Sequence, residues 1–285
     1  MPILQQASID DRKRLLELFP VANLRHAFQA KGTKATKEEI CYSAAADNNQ
    51  QQINRIAEFV DDHLSCCKQH VYVFLQPDGA VTLPANIADG ERVVNSANHG
   101  LYVSRTRYTV VLRDPLEETT LEFLWPIQIE IHGQYLVVRF VVLERNATSY
   151  VERPSYVAGR TLTEKTILAG IQPNAADLNK GIKKLWGEGL IESTRGNFKK
   201  PLSLASEIMD EEKDIKTHNP ELYAIMQESP LYTTLFRVTD KFQIEGKESS
   251  VGEFSTDPSH GIIGFGSYSE KGDTDGIIEN IISNN

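Results

Sequence analysis

The sequence predicts an α+β fold, with helices gathered at the start, strands in the middle, and helices with a hairpin after them. Three observations predict it. Apolar residues recur at helical spacing through the first 70 residues. Between residues 70 and 145 they fall into β-branched and aromatic runs bounded by turn residues. Beyond residue 160 helical spacing returns beside a hairpin pattern. Segregated runs of helices and strands mark this class. The expected organisation is a helical domain over 1–69, an α+β domain with an antiparallel sheet over 70–245, and an acidic Gly/Ser-rich tail over 246–285.

The first helix is signalled by Ser8 with Asp11 three residues on, followed by Leu15, Leu16, Leu18 and Phe19. Pro20 interrupts it. A second helix fits residues 21–31, with Val21, Leu24, Ala27 and Phe28 on one side and Gly32 to end it. A third starts at Thr36, with Glu39 placed for a capping box. Residues 47–52 are polar and read as a turn. A fourth helix fits residues 53–67, where Ile53, Ile56, Ala57, Val60 and Leu64 recur at helical spacing.

The strands follow. Residues 70–76 form a short apolar run, closed by the turn Pro77-Asp78-Gly79. Residues 80–83 continue extended. Three long strands are expected over 102–113, 121–132 and 135–145, the last two flanking the hairpin signal His132-Gly133-Gln134. The third is apolar on both faces, the pattern of a central, covered strand. Pro126 inside the second predicts a bulge or a sheet edge. Further on, residues 163–169 read as a short helix and Gly170-Ile171-Gln172-Pro173 as a turn. Residues 174–186 read as a longer helix, with Ala176, Leu178, Ile182, Leu185 and Trp186 as its apolar side. A hairpin is expected across Arg195-Gly196-Asn197. Residues 204–227 then read as helical with charge, interrupted by Pro220, and 231–244 as a strand or strand pair. The tail reads as docked or partly disordered. No internal repeat is present.

Of 285 residues, 40% are hydrophobic and 24% charged, which suits a globular chain with a sizeable core. No apolar run reaches 18 residues, so no membrane span is expected. The opening residues lack the apolar core of a secretory signal. Cys41, Cys66 and Cys67 make no disulfide framework, which favours a reducing cytoplasm. The net charge of −9 is unevenly spread. From Glu207 onward there are 6 basic and 16 acidic residues. Two basic clusters stand in the earlier part. Residues 12–37 hold 7 basic residues against Glu17, and residues 180–200 hold 6 against Glu188 and Glu192. Such clusters either attract a polyanion or merely solvate exposed faces.

The segment 21–45 opens V-x-x-L-x-x-A-F-x-x-K-G-T-K-A-T-K-E-E-I, which spans residues 21–40. This resembles the SAP motif, a helix–loop–helix module associated with DNA binding, through Val21, Leu24, Phe28, Gly32, Lys37 and Ile40. The loop is a residue short, Ala35-Thr36 stands where a second glycine is common, and only Ala44 to Ala46 occupy the place of a late branched aliphatic. The resemblance implies phosphate contact by Arg25, Lys31, Lys34 and Lys37. Independently, a helix N-terminus beside lysines favours phosphate. The competing reading is an ordinary helical hairpin with exposed lysines. The stretch 163–204 has the order of a winged helix. There Lys180, Lys183 and Lys184 would face a duplex, and Arg195, Lys199 and Lys200 would sit on the wing. The alternative is a structural helix–hairpin.

Two metal readings are weaker. His63, Cys67 and His70 would share a face of one helix, but one helix rarely closes a tetrahedral zinc site. Asp114 with Glu130-Ile131-His132 is similar to the acidic pair of restriction-type nucleases but lacks the lysine that completes the motif. No phosphate loop, dinucleotide fingerprint or nucleophile elbow is present. The chain is therefore expected to be a non-enzymatic DNA-binding or adaptor protein without cofactor, contacting nucleic acid and a protein partner. A protein–protein scaffold and a divalent-metal nuclease are the alternatives.

Overall fold

The computed structural model describes residues 2–29, 34–76, 82–85, 87, 90–112, 117–143, 147–150, 174–200, 203–208 and 213–285. Lys31, Gly32, the turn at 77–79, Asp114 and the segment expected as a helix and turn over 163–173 lie outside the described residues. The fold is α+β, with nine α-helices among the described residues and mainly antiparallel strand pairing. The chain divides into two compact units. Unit 1 is Met1–His70 with Gln76–Pro173, and unit 2 is Val71–Leu75 with Asn174–Asn285.

Unit 1 opens with α1 (Pro2–Gln6), α2 (Ile9–Glu17), α3 (Val21–Phe28), α4 (Lys37–Ala46) and α5 (Gln50–His63). Local chemistry sets their starts. Ser8 and Asp11 form a reciprocal capping box on α2, and Thr36 and Glu39 do the same on α4. Asn49 caps α5 through Gln52 N at 2.8 Å, so this helix begins earlier than its apolar spacing predicts. It also ends earlier, at His63. Leu64–Cys66 is a 3₁₀ turn, which removes the expected helical face shared by His63, Cys67 and His70. Arg12 is 2% exposed, and among the described residues its guanidinium bonds to carbonyl oxygens and an amide, not to a carboxylate. Its guanidinium donates to Leu4 O, Ala7 O, Ala45 O and Asn48 Oδ1. Carbonyls at the ends of α1 and α4 thus neutralise a buried cation and lock three helices together.

The strands are β1 (Gln69–Leu75), β2 (Gly90–Asn95), β3 (His99–Leu112), β4 (Glu118–His132), β5 (Tyr135–Val141) and β6 (Ala147–Tyr150). Within unit 1 the order is β2-β3-β4-β5, with β6 also on β3. β2 was not foreseen, because its two valines sit among Arg92 and Asn95. Gly133, at φ +58°, makes the β4–β5 turn. All of β5 is buried, as a strand apolar on both faces requires. Of the bulge or sheet edge expected at Pro126, the register shows no bulge, and the position lies just beyond the β4–β5 pairing, at an edge. The β3–β4 register runs unshifted through Val103↔Pro126, and the β4–β5 register begins at Ile127, so no partner demands the missing N–H. Helices pack over the middle of one sheet face. Leu15, Leu16, Phe19, Ile56 and Val60 meet Val93, Leu101, Val103 and Leu124 there.

Unit 2 contains β7 (Asn174–Ala175), α6 (Asn179–Glu188), β8 (Ile191–Lys200), β9 (Ser203–Ile208), α7 (Ile215–His218) and α8 (Pro220–Glu228). β10 (Thr234–Val238), β11 (Gln243–Ile244), β12 (Lys247–Glu248), β13 (Glu253–Asp257), β14 (Ile262–Phe265) and α9 (Asp273–Ser283) follow. Its sheet order is β1-β14-β13-β10-β8-β9, with β7 on β1. Three sequence expectations are corrected. The helix expected from residue 174 starts at Asn179, because Asn174 and Ala175 pair with Leu75 and Phe74. Arg195-Gly196-Asn197 is no turn but the middle of β8, opposite Ile208, Glu207 and Ser206. The space a Cβ at Gly196 would take is occupied by the flexible end of the Met226 side chain. Residues 204–227 are not one helix. They form β9 and then α7 and α8, with Pro220 at the first turn of α8 and Asn219 capping it. Trp186 is the core anchor, with Tyr223 and Phe236 against it edge-on and its Nε1 on buried Asp214 at 3.0 Å.

Candidate nucleic-acid interface

The N-terminal cations occupy the α3–α4 hairpin. Arg25 lies in the last turn of α3 and is exposed. Lys34 is exposed ahead of α4, and Lys37, in its first turn, is half-buried. Leu24 and Ile40 are buried, and Phe28 packs edge-on against Phe59. Arg55 stacks over Phe28 and donates to Ala27 O, closing the end of α3. The α4 N-terminus differs from the expected phosphate pocket. Thr36 Oγ1 accepts from Glu39 N at 3.3 Å, and Glu39 Oε2 accepts from Thr36 N at 2.7 Å and Thr36 Oγ1 at 2.9 Å. Those bonds hold the Glu39 carboxyl below its ordinary range. The Glu39 carboxylate and the Thr36 hydroxyl thus take the Thr36 and Glu39 amides, two of the donors that an anion at this helix start would use.

In unit 2, Lys180 and Lys184 are exposed one helical turn apart on α6. Lys183 points the other way. Its Nζ donates to Gln227 O at 2.8 Å and Ser229 O at 2.9 Å, capping the end of α8. Burial pulls its pKa down. Lys183 is thus a packing residue and is not available to a duplex. Lys216 in turn donates to Gly187 O at the end of α6. Arg195 is exposed mid-strand, and Lys199 and Lys200 end β8, beside the connection to β9.

Two charged clusters were missed by sequence reasoning, and both lie on the helix-facing side of β3 and β4. At one end, His99 Nε2 is 2.7 Å from Asp61 Oδ1 on α5, and its Nδ1 is 3.1 Å from Glu130 Oε1. Glu130 Oε2 lies 3.4 Å from His132 Nε2 and 3.5 Å from Nε of Arg139, which is 1% exposed. Gln128 Nε2 adds a contact to Asp61 Oδ1 at 3.2 Å. Hydrogen bonds to Asp61 and Glu130 push the His99 pKa up to about 9 against the effect of burial. Burial opposes the charge on Glu130. The hydrogen bonds from His132 and His99 and the charge of Arg139 outweigh it and hold the carboxyl well below its usual range. This is an imidazolium clamped between carboxylates, not a free base. A metal ion on Glu130 would have to displace those three partners.

At the other end, Glu122 stands opposite Arg107 across the ladder. Its Oε2 accepts from Arg107 Nε and its Oε1 from Arg105 Nη1, both at 2.9 Å. Arg14 on α2 donates to Glu122 O at 3.2 Å. A signal existed in parity: Leu101, Val103, Arg105 and Arg107 share one face, and it changes from apolar to cationic.

The zinc reading finds no geometry. His63 Nδ1 faces Phe59 O at 3.0 Å, and Cys67 Sγ faces Leu18 O at 3.5 Å. Burial and the adjacent Cys66 push the Cys67 thiol well up. Among the described residues no group of three His, Cys, Asp or Glu is placed to hold a metal. Among them also, no helix is long and apolar enough to cross a membrane. No family model matches the chain, and no curated protein and no solved structure is similar to it.

Proposed function

We propose that this chain is a non-enzymatic, cytoplasmic adaptor that grips nucleic acid, DNA first, through its phosphate backbone and also engages a protein partner. One observation carries the reading. Arg25 and Lys34 bracket the α3–α4 turn, solvent-facing and without a carboxylate partner among the described residues. The nearby carboxylates are engaged, Glu38 by Lys13 and Glu39 by Thr36. The SAP-like pattern of this hairpin and the exposed Lys180, Lys184 and Arg195 of the winged-helix-like segment agree with it. Contacts of this kind give affinity without reading sequence. Unit 2 carries 12 Lys and Arg against 19 Asp and Glu, and its acidic surface would confine nucleic acid to the cationic faces or dock a basic protein. The free, buried cysteines suit a reducing compartment.

The test is a salt titration of binding to a labelled DNA duplex, followed by fluorescence anisotropy. Phosphate contact predicts that log affinity falls linearly with log salt, by roughly 0.9 per contact. Arg25→Ala with Lys34→Ala should flatten that slope by about 2. No binding at low salt overturns the reading. Incubating DNA with the protein and Mg²⁺ or Mn²⁺ should leave it intact. Cleavage lost in Glu130→Ala would favour the nuclease instead.

A further inference from the structure

We propose that Arg14, Arg105 and Arg107 form a second phosphate-binding edge on unit 1, held in place by Glu122 and directed at a nucleic-acid backbone. The inference rests on the nucleic-acid reading above and adds residues to it.

The geometry starts with the sheet. β3 and β4 extend past the helical layer. On the face where Leu101, Val103 and Leu124 are buried under helices, the next positions are Arg105, Arg107 and Glu122. Two guanidiniums, of Arg105 and Arg107, meet the Glu122 carboxylate, and a third, of Arg14, meets its backbone carbonyl. Among the described residues, Asp11 is the second anion paired there, at 4.0 Å from Arg105, and its Oδ2 already accepts from Ser8 N. Among them, three guanidiniums thus stand against two carboxylates.

Glu122 engages only Nε of Arg107 and one terminal nitrogen of Arg105. The Arg107 side chain is 75% exposed, and its two terminal nitrogens bond to none of the described residues. A guanidinium fixed through Nε and open at its fork is arranged for bidentate phosphate binding. Glu122 thus orients the arginines and lowers the entropy lost when they bind.

The ligand is a chain of phosphates rather than one anion, because the cations continue. Lys13, next to Arg14, bonds Glu38 on α4, which fixes the first turn of α4 beside α2. Lys37 precedes Glu38, and Lys34 precedes that turn. The path of contacts runs from β3 across α2 to α4 within unit 1, and it joins the arginine edge to the α3–α4 cations. Arg105 and Arg107 stand about 6.8 Å apart along the strand, a spacing suited to successive phosphates.

The test is the same DNA titration, started at about 50 mM salt, with Arg105→Ala/Arg107→Ala against Arg25→Ala/Lys34→Ala. The arginine pair should weaken binding and lower the salt slope by about 2. Arg105→Lys/Arg107→Lys should restore most of the slope. A charge reversal, Arg107→Glu, touches one exposed side chain and serves if the double variant folds poorly. It too should weaken binding. If the arginine variants bind like the native chain while the Arg25/Lys34 variant does not, this edge is excluded and the wider reading stands. If the native chain binds no DNA, both fall. If a phosphopeptide, but not DNA, loses affinity in the arginine variants, the partner class assigned here is wrong.

Discussion

Glu122 and Glu130 point to the same face of β4, and each is met by basic side chains from β3. Their surroundings separate them. Around Glu130 the cations are His99, half-shielded, and Arg139, buried, and α5 closes the cluster with Asp61. Around Glu122 one arginine is 75% exposed, and α2 reaches the cluster at its rim, through Arg14 on Glu122 O and Asp11 at 4.0 Å from Arg105. The helical layer covers the apolar middle of this face and stops at two different margins. Where it covers the charges, they stabilise the fold. Where it stops short, similar chemistry stays open to a ligand. Coulomb attraction at similar distances is worth more at the covered end, since low dielectric strengthens it and water screens the other.

The sharpest way to break this comparison is to remove each carboxylate. Glu130→Ala takes the carboxylate away from the Arg139 guanidinium, 1% exposed, and removes one of two partners from His99. Removing one partner of a buried ion pair costs roughly 3–5 kcal/mol, so urea denaturation should show a loss near the lower figure. Glu122→Ala releases arginines into water and should cost less than about 1 kcal/mol. Equal losses would mean that the helical layer does not distinguish the two ends.

The second effect is on pH. The folded pKa of His99 stands at about 9, raised from an unfolded value near 6.5. The folded state therefore binds the proton more tightly. This contribution is complete below pH about 6.5 and is lost as pH rises through about 9. Cys67, whose thiol is pushed up by burial, also lowers stability at alkaline pH. The difference between the native chain and His99→Gln isolates the histidine. That difference should shrink steadily from neutral to alkaline pH. A constant difference would show that His99 is not an imidazolium in the fold. No such titration is expected at the Glu122 end, where arginine stays charged throughout.

How much of this was legible follows from sequence distance. Ser8 with Asp11 and Thr36 with Glu39 are contacts within one turn, and both could be read. So could the Gly133 turn, where two strands meet at once. Gly196 misleads because a lone Arg-Gly-Asn imitates a turn, while its strand partners, Ile208 to Ser206, lie further along the chain. Lys183 looked like its exposed neighbours until α8 supplied the carbonyls it caps. The same distance hid the His99 cluster, since Asp61, His99 and Glu130 come from three elements. In the sequence Asp114 with Glu130-Ile131-His132 reads as an incomplete nuclease motif, because Asp61 and Arg139, which make Glu130 part of an ion-pair clamp, are distant along the chain. Arg105 and Arg107 could have been found, because their parity places them on the helix-facing side of β3.

The smallest expected effect discriminates best between structure and interface. Arg107→Ala removes one exposed guanidinium from a carboxylate that keeps Arg105. An exposed pair is worth roughly 0.2–1 kcal/mol, and the remaining arginine offsets part of it. Its urea midpoint should sit within error of the native one, at unchanged slope. Its DNA affinity should nonetheless fall, with the salt slope lower by about 0.9. A residue that matters to binding and not to folding is there for its partner. Were Arg107→Ala to destabilise the chain as much as Glu130→Ala, Glu122 and its arginines would be a second clamp, and the open end of the sheet would need another occupant.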